Sequence, residues 1–320
     1  MPSRHLVHPQ ILPMVEQAPT VVLDAEHLAE SRAAMVAMAE MLPQPAPLAA
    51  DLKMYEEHVP GIDGAPDVRL IITAPKASGS GRPAILHIHG GGYIMGSAEM
   101  TSQIDAAYAG AFGAVCVSVD YRLAPETPHP GPVNDCYAAL KWLHQNAAAL
   151  GVDPDTIAVT GESAGGGLAA ALVLLARDRA EVPVAFQHLI YPMLDDRTAT
   201  RDDPSPYLGQ FIWTQDNNRF GWRSLIGCEP GEAGVSPYAA PARAEDLSRL
   251  PPTFIACGAL DLFLEENLEY ARRLILAGVS TELHIYPGGP HAFNLVPDAD
   301  ISVALDRDCM AALKRAFTKP

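Results

Sequence analysis

Cysteine is sparse and unpatterned in this 320-residue chain: five residues, at 116, 136, 228, 257 and 309, with no C-x-x-C pair among them. An odd, scattered set argues against a disulfide framework and against a thiolate metal site, and for a reducing compartment; Cys116 and Cys257 fall inside apolar runs, where a thiol behaves as a small hydrophobe. Positive charge is also short. With 22 Lys+Arg against 38 Asp+Glu, the formal net charge is −16 and no basic run occurs. Such a surface repels phosphate backbones and anionic lipid, so neither nucleic acid nor membrane is expected as a partner. Long hydrophobic runs are missing too. The longest, Leu168 to Ala176, is far too short to cross a bilayer, and prolines interrupt the opening "MPSRHLVHPQILPMVEQ" where a signal peptide needs an unbroken apolar stretch. A cytoplasmic location is the expectation.

What is present is ordinary for a globular enzyme-sized chain, 48% hydrophobic and 19% charged. Apolar, β-rich runs recur through it: "DVRLIITAP", "PAILHIHG", "AVCVSVDY", "TIAVTG", "AFQHLIYP", "TFIACG" and "TELHIYP". Helical patterns fall between several of them, "NDCYAALKWLHQNAAALG", "GLAAALVLLARD" and "LEENLEYARRLILAG". Strand–helix alternation predicts a mostly parallel sheet covered on both faces. Two stretches lie outside this rhythm. "LAESRAAMVAMAEMLPQPAPLAADL" reads as an amphipathic helix ended by a proline-rich linker at 43–47, and about forty residues after "IYPMLDD" form an insertion carrying Phe211, Trp213, Phe220 and Trp222. That many aromatics predict one or two helices packed as a lid rather than a plain loop. The resulting division is 1–47 and 196–235 as parts of a helical cap, over a core made of 48–195 and 236–320.

The chemistry-bearing candidate is G-E-S-A-G at 161–165, between a strand-like "TIAV" and a helix-like run. A strand that turns at once into a helix strains its central residue, and Gly161 and Gly165 relieve the crowding. Ser163 then stands over the positive end of a helix dipole. A second glycine loop, His89-Gly90-Gly91-Gly92, follows the strand "PAIL". Together with Ala164, Gly91 and Gly92 supply three backbone N–H donors suited to an oxyanion. Gly165, Gly167 and Ala170 also satisfy G-x-G-x-x-A, but no acidic residue ends a second strand about 20 residues on, so no dinucleotide is expected.

"HGGG" at 89–92, "DYRLAPE" at 120–126, "GESAGG" at 161–166, "SPYAAPARAEDLSRLPP" and "YPGGPHAFN" together resemble the hormone-sensitive-lipase-like esterases, over roughly residues 50 to 310. The resemblance implies an α/β-hydrolase fold, a mostly parallel eight-stranded sheet flanked by helices with a helical cap. It implies an acid within "CGALDLFLEE" and a base within "YPGGPHAFN", hence Asp261 and His291, with His89 organising the glycine loop and no metal or cofactor. Both loops follow strands directly, which would bring them to the sheet edge that carries Ser163. His284 inside "TELHIY" is the rival base. Glu265 and Glu266, expected on a solvent-facing helix, are rival acids, while Asp195 and Asp196 read as turn or cap residues and His87 has no evident role. Four positions depart from the family pattern: Glu162 for the usual Asp or Thr, which predicts altered local hydrogen bonding; Leu262 for Pro and Glu265 for Asp, which predict a looser acid loop; and Ala292 for Gly, whose methyl is expected to crowd the acyl site. Polar Gln215, Asp216, Asn217 and Asn218 in the insertion suggest a partly polar pocket.

The expected activity is therefore serine carboxylesterase action on short- to medium-chain acyl or aryl esters, with a small-molecule ester as partner. An amidase or deacylase using the same triad is the first alternative. A non-catalytic receptor is the second, since the plant gibberellin receptors resemble this family but lack the histidine. Dimers are common among related esterases, so a homodimer is also anticipated.

Overall fold

The computed structural model describes residues 2–17, 22–41 and 48–318. Eight strands form one sheet: β1 (Leu52–Val59), β2 (Val68–Pro75), β3 (Arg82–Ile88), β4 (Val115–Asp120), β5 (Val152–Glu162), β6 (Phe186–Ile190), β7 (Thr253–Gly258) and β8 (Thr281–Tyr286). Their order is β1-β2-β4-β3-β5-β6-β7-β8. β2 runs antiparallel to both its neighbours, and every pairing from β4 onward is parallel. The seven runs marked in the sequence are β2 to β8. β1, "LKMYEEHV", escaped because it is an edge strand: only Leu52 and Val59 at its ends are buried, so no alternation marks it.

The helices are α1 (Leu12–Gln17), α2 (Leu28–Met41), α3 (Ser102–Phe112), α4 (Gly131–Gln145), α5 (Ala147–Leu150), α6 (Ala164–Arg179), α7 (Gln215–Ile226), α8 (Leu264–Leu276) and α9 (Asp300–Phe317). The stretch expected as one helix from 134 to 151 breaks at Asn146, whose amide side chain donates to the Trp142 carbonyl at 2.9 Å. Strand alternation divides the core. Leu86, Ile88, Ile157 and Val159 pack with α4, α6 and α8 on one face, whereas Ile85, Cys116 and Ala158 pack with α3 and α9 on the other. Among the described residues no helix is long and apolar enough to cross a membrane.

The amino-terminal segment divides between two tasks. Val7, Ile11 and Val15 are buried with Tyr286 and Phe293, and the His8 N–H donates to the Gly288 carbonyl at 3.0 Å, so this part braces the loop after β8. α2 is less amphipathic than expected: Leu28 is its single buried side chain among those described. Its hold comes instead from Arg32, which donates to the Ile94 and Ala124 carbonyls and pairs with Glu126. The linker expected at 43–47 lies outside the described residues.

The 196–235 insertion contains one 3₁₀ turn, Asp196–Thr200, and one α-helix, α7. Asp195 caps the turn by accepting from the Arg197 N–H at 3.0 Å. Asp196 is fully buried and pairs with Arg243 at 2.6 and 2.7 Å while accepting from the Gly231 N–H, which ties both ends of the insertion to the chain beyond it.

Candidate active site

β3, β5, β7 and β8 run parallel, so the segments that follow them emerge at one edge. Those segments carry His89, Ser163, Asp261 and His291. Ser163 sits between β5 and α6 with φ 56 and ψ −122, a region that costs a non-glycine residue about 1–3 kcal/mol. The elbow is held by its backbone: Ser163 N–H donates to Ile190 at 2.9 Å, and the Ser163 carbonyl accepts from Gly167 at 3.0 Å and Met193 at 2.9 Å. A Cβ on Gly161 would stand 2.4 Å from the Gly165 carbonyl group, and one on Gly165 would stand 2.0 Å from the Ile88 oxygen. On Gly167 it would meet the Met193 oxygen at 2.1 Å. These glycines therefore serve the close approach of α6 to the strands and to the segment after β6.

Ser163 Oγ–H donates to His291 Nε2 at 2.9 Å, and His291 Nδ1–H donates to Asp261 Oδ2 at 2.8 Å. All three residues are buried, Ser163 retaining 8% exposure and Asp261 none. Asp261 Oδ1 accepts from the Phe263 N–H at 2.9 Å, so both carboxylate oxygens are committed. The imidazole is fenced by ring edges: Tyr191 at 4.8 Å and Phe263 at 5.1 Å between centroids, both T-shaped. The acid loop is not loose despite Leu262. Ala259 and Leu260 N–H donate to Tyr286 and Gly289, and Asp261 N–H to Gly258, while Leu262 is buried under Gly209 of the insertion. Tertiary hydrogen bonds supply what a proline would have given locally.

The rivals are placed elsewhere. His284 lies on the edge strand with Glu282 at 2.7 Å and Asp308 at 3.4 Å. Glu265 is exposed and pairs with Arg201. Glu266 departs from expectation: it is buried, and accepts from the Leu194 N–H and Thr198 hydroxyl. The reason is helical phase, since Glu266, Asn267, Tyr270, Ala271 and Leu274 share the inward face of α8. Burial pushes its carboxyl well above the usual range, with the Asp195 charge adding to the effect.

Gly91 and Gly92 have φ of 118 and 62. A Cβ on Gly91 would lie 2.1 Å from the Met95 oxygen, and one on Gly92 would lie 2.3 Å from the Trp213 ring. A Cβ on Gly90 would come within 3.0 Å of the Glu162 oxygen and 3.4 Å of Ser163 Cβ, so the glycine loop lies directly against the elbow. Ala164 opens α6, where its N–H has no intrahelical acceptor. His89 donates from Nδ1 to the Gly90 carbonyl at 2.8 Å and stacks on Tyr121 at 4.2 Å, and burial lowers its pKa to about 4. The ring is thus neutral, and the Tyr121 hydroxyl secures the His89 carbonyl at 3.0 Å. His87, which carried no sequence signal, lies fully buried between Asp105 and Glu162.

Trp213 is buried against Gly92 and its ring centroid lies 6.4 Å from that of His291, so the insertion overlies the site. Two of its polar residues are spent on scaffolding: Asn217 accepts from the Leu23 N–H at 3.2 Å, and Asn218 from Trp213 Nε1 at 3.2 Å. Gln215 and Asp216 border a cavity of about 340 Å³ with Arg201, Leu208, Leu262 and Glu265. Leu262 links that cavity to the Asp261 loop.

With this geometry in view, the comparisons define the class. Residues 85–295 match the family model described as alpha/beta hydrolase fold, and the chain belongs to that family, within its hormone-sensitive-lipase-like branch. Particular relatives narrow the likeness. The carboxylesterase NlhH of Mycobacterium tuberculosis is 32% identical over 98% of this chain and 98% of its own. The structure of a bacterial heroin esterase matches with a TM-score of 0.92 at 40% identity, covering 98% of this chain and 99% of that one. A hyperthermophilic esterase from the archaeon Pyrobaculum calidifontis matches with a TM-score of 0.84 at 32% identity, covering 98% and 99%.

Proposed function

We propose that the protein is a serine carboxylesterase in which Ser163 is the nucleophile, His291 the general base and acid, and Asp261 the residue that fixes the imidazole. The observation that carries this reading is the continuous hydrogen-bonded chain from Ser163 Oγ through His291 to Asp261. Because Nδ1 keeps its proton for Asp261, Nε2 is left with a lone pair facing the hydroxyl. Ser163 Oγ attacks the ester carbonyl while its proton passes to His291 Nε2. Negative charge then develops on the carbonyl oxygen, where the Gly91, Gly92 and Ala164 N–H groups receive it. Collapse expels the alcohol, protonated by His291, and leaves an acyl-Ser163. Water, deprotonated by the same nitrogen, attacks the acyl carbon and releases the acid. No step calls for a metal or organic cofactor.

The remaining features extend the proposal. Residues 196–235, with the stretch around Leu23 and Leu28 beside them, act as the cap, and the mixed lining beside Leu262 suits short acyl groups or polar and aryl alcohols. The enzyme is read as cytoplasmic, acting on small esters, with a homodimer as the assembly to test by sedimentation. The deciding experiment is hydrolysis of p-nitrophenyl esters from acetyl to dodecanoyl by wild type and Ser163→Ala. Turnover of short chains that falls by about 10⁴-fold or more in the variant is expected. Equal rates in the two proteins would remove Ser163 from the mechanism, and turnover of an amide in preference to the matching ester would favour the deacylase alternative.

A further inference from the structure

A second hydrogen-bonded histidine lies behind the nucleophile, and the reaction as written makes no use of it. His87, on β3, places Nδ1 2.7 Å from Asp105 Oδ1 and Nε2 2.9 Å from Glu162 Oε1, with Oε2 at 3.2 Å. His87, Asp105, Thr101 and Ser118 are each at most 2% exposed, and the Glu162 side chain keeps 18%. The second oxygen of Asp105 receives the Thr101 hydroxyl at 2.9 Å and the Ser118 hydroxyl. An ionised carboxylate accepts and cannot donate. Contacts from both ring nitrogens to carboxylate oxygens therefore fit a His87 that carries hydrogen on each, a cationic ring. Desolvation alone would lower such a histidine, but the charges of Glu162 and Asp105 outweigh it and raise the pKa to about 10.

Glu162 is the last residue of β5, and the next residue is the strained Ser163. Its carboxylate is thus anchored to α3 through His87, while its main chain leads straight into the elbow. We propose that Asp105, His87 and Glu162 form a positioning clamp, in which His87 acts through Glu162 to hold Ser163 Oγ in line with His291 and the oxyanion donors. His87 is a fixed cation here and shuttles no proton. The clamp rests on the reading of Ser163 as nucleophile, and its test separates the two.

In protein labelled with ¹⁵N-histidine, the His87 nitrogens, assigned by their loss in His87→Gln, should both show protonated shifts at about pH 8.5, where an ordinary histidine is neutral. A neutral His87 would overturn the clamp whatever Ser163 does, and this readout does not depend on the activity of any variant. In kinetics normalised to sites titrated with a p-nitrophenyl phosphonate, Glu162→Gln should lower kcat about tenfold with KM unchanged, as a small misalignment of a reacting atom does. Glu162→Asp, which keeps the charge, should recover most of that loss. A Glu162→Gln enzyme with wild-type kcat per titrated site would refute the positioning role, even if its melting temperature fell. Persistence of esterase activity in Ser163→Ala would instead strike the nucleophile assignment and leave the His87 shifts as they are.

Discussion

His87 and His89 stand two residues apart at the end of one strand, yet their surroundings make them opposite acids. Behind the elbow, two carboxylates bracket His87 and raise its pKa to about 10. Under the glycine loop, His89 has a backbone carbonyl and a tyrosine ring for company, and burial lowers it to about 4. His291, the third imidazole of the region, has one carboxylate and one hydroxyl. The difference teaches what selects a base. Two anionic partners leave a ring with no lone pair to offer, and a ring with no anionic partner cannot stabilise the cation formed on taking a proton. One of each leaves Nε2 able to accept and the resulting charge compensated.

The harshest way to break this comparison is to exchange the roles. His291→Gln should lower kcat about 10⁵-fold or more, because base and nucleophile act as a unit. His87→Gln, at the other histidine, should cost about tenfold. Steady-state rates on one p-nitrophenyl ester decide it, and comparable losses at the two positions would erase the distinction. Next in size is the glycine loop that His89 supports. Gly91→Ala places a methyl at φ 118 and against the Met95 oxygen, which should displace one donor and cost about 10²–10³ in kcat. A near-normal kcat would remove Gly91 from the oxyanion site.

Stability against pH sharpens the same contrast from both sides. For His89 and His188, the latter lowered to about 3 by burial, the unfolded chain takes up protons near the ordinary value of 6.5 while the folded state resists. Between those values the unfolded state holds more protons, so stability falls as pH drops below about 6.5, by on the order of 1–3 kcal/mol for each ring. His87 has the reverse sign. The groups facing it are Asp105 and Tyr108 of α3, Glu162 of β5 and, close by, His89 just after β3 and His188 of β6. Its folded state keeps a proton that the unfolded chain releases near 6.5, so its contribution is complete below that value and drains as pH rises toward about 10. Melting temperatures from pH 4 to 10 should show both declines, and His87→Gln should flatten only the alkaline one.

How much of this was legible in the sequence follows from where the forces act. Six of the eight strands and the elbow were legible because burial writes itself as apolar runs, and because the turn at Ser163 tolerates few residues at 161 and 165; β8, a half-buried edge, was legible through Leu283, Ile285 and Tyr286. Asp261 and His291 were legible mainly through the motifs around them; their meeting depends on four parallel strands sharing an edge, which no local pattern states. β1 was hidden by its exposed edge. His87 was hidden because its partners lie 18 and 75 residues away, on α3 and at the end of β5. Glu266 was misread for a related reason: its burial is set by α8 phase and by the start of the insertion. Asn217 and Asn218 illustrate the limit of composition, since polar residues in a lid can serve the lid itself.

The smallest expected effect lies beside the base. Ala292 adopts φ 55 and ψ 32, the left-handed region, immediately after His291 and at a position where the family usually has glycine. For a residue with a Cβ that conformation costs about 1–2 kcal/mol. Glycine would remove the strain but would lose about 0.5–1 kcal/mol through the greater freedom of the unfolded chain. The net expectation for Ala292→Gly is a gain of about 0.5 kcal/mol, seen as a slightly higher melting temperature, with kcat on short esters unchanged within about twofold if the strain is purely conformational. A lower melting temperature would mean that the methyl packs favourably and offsets its own strain. A large change in kcat would mean instead that Ala292 holds the His291 loop in register, and that the third imidazole is set by its own backbone as well as by Asp261 and Ser163.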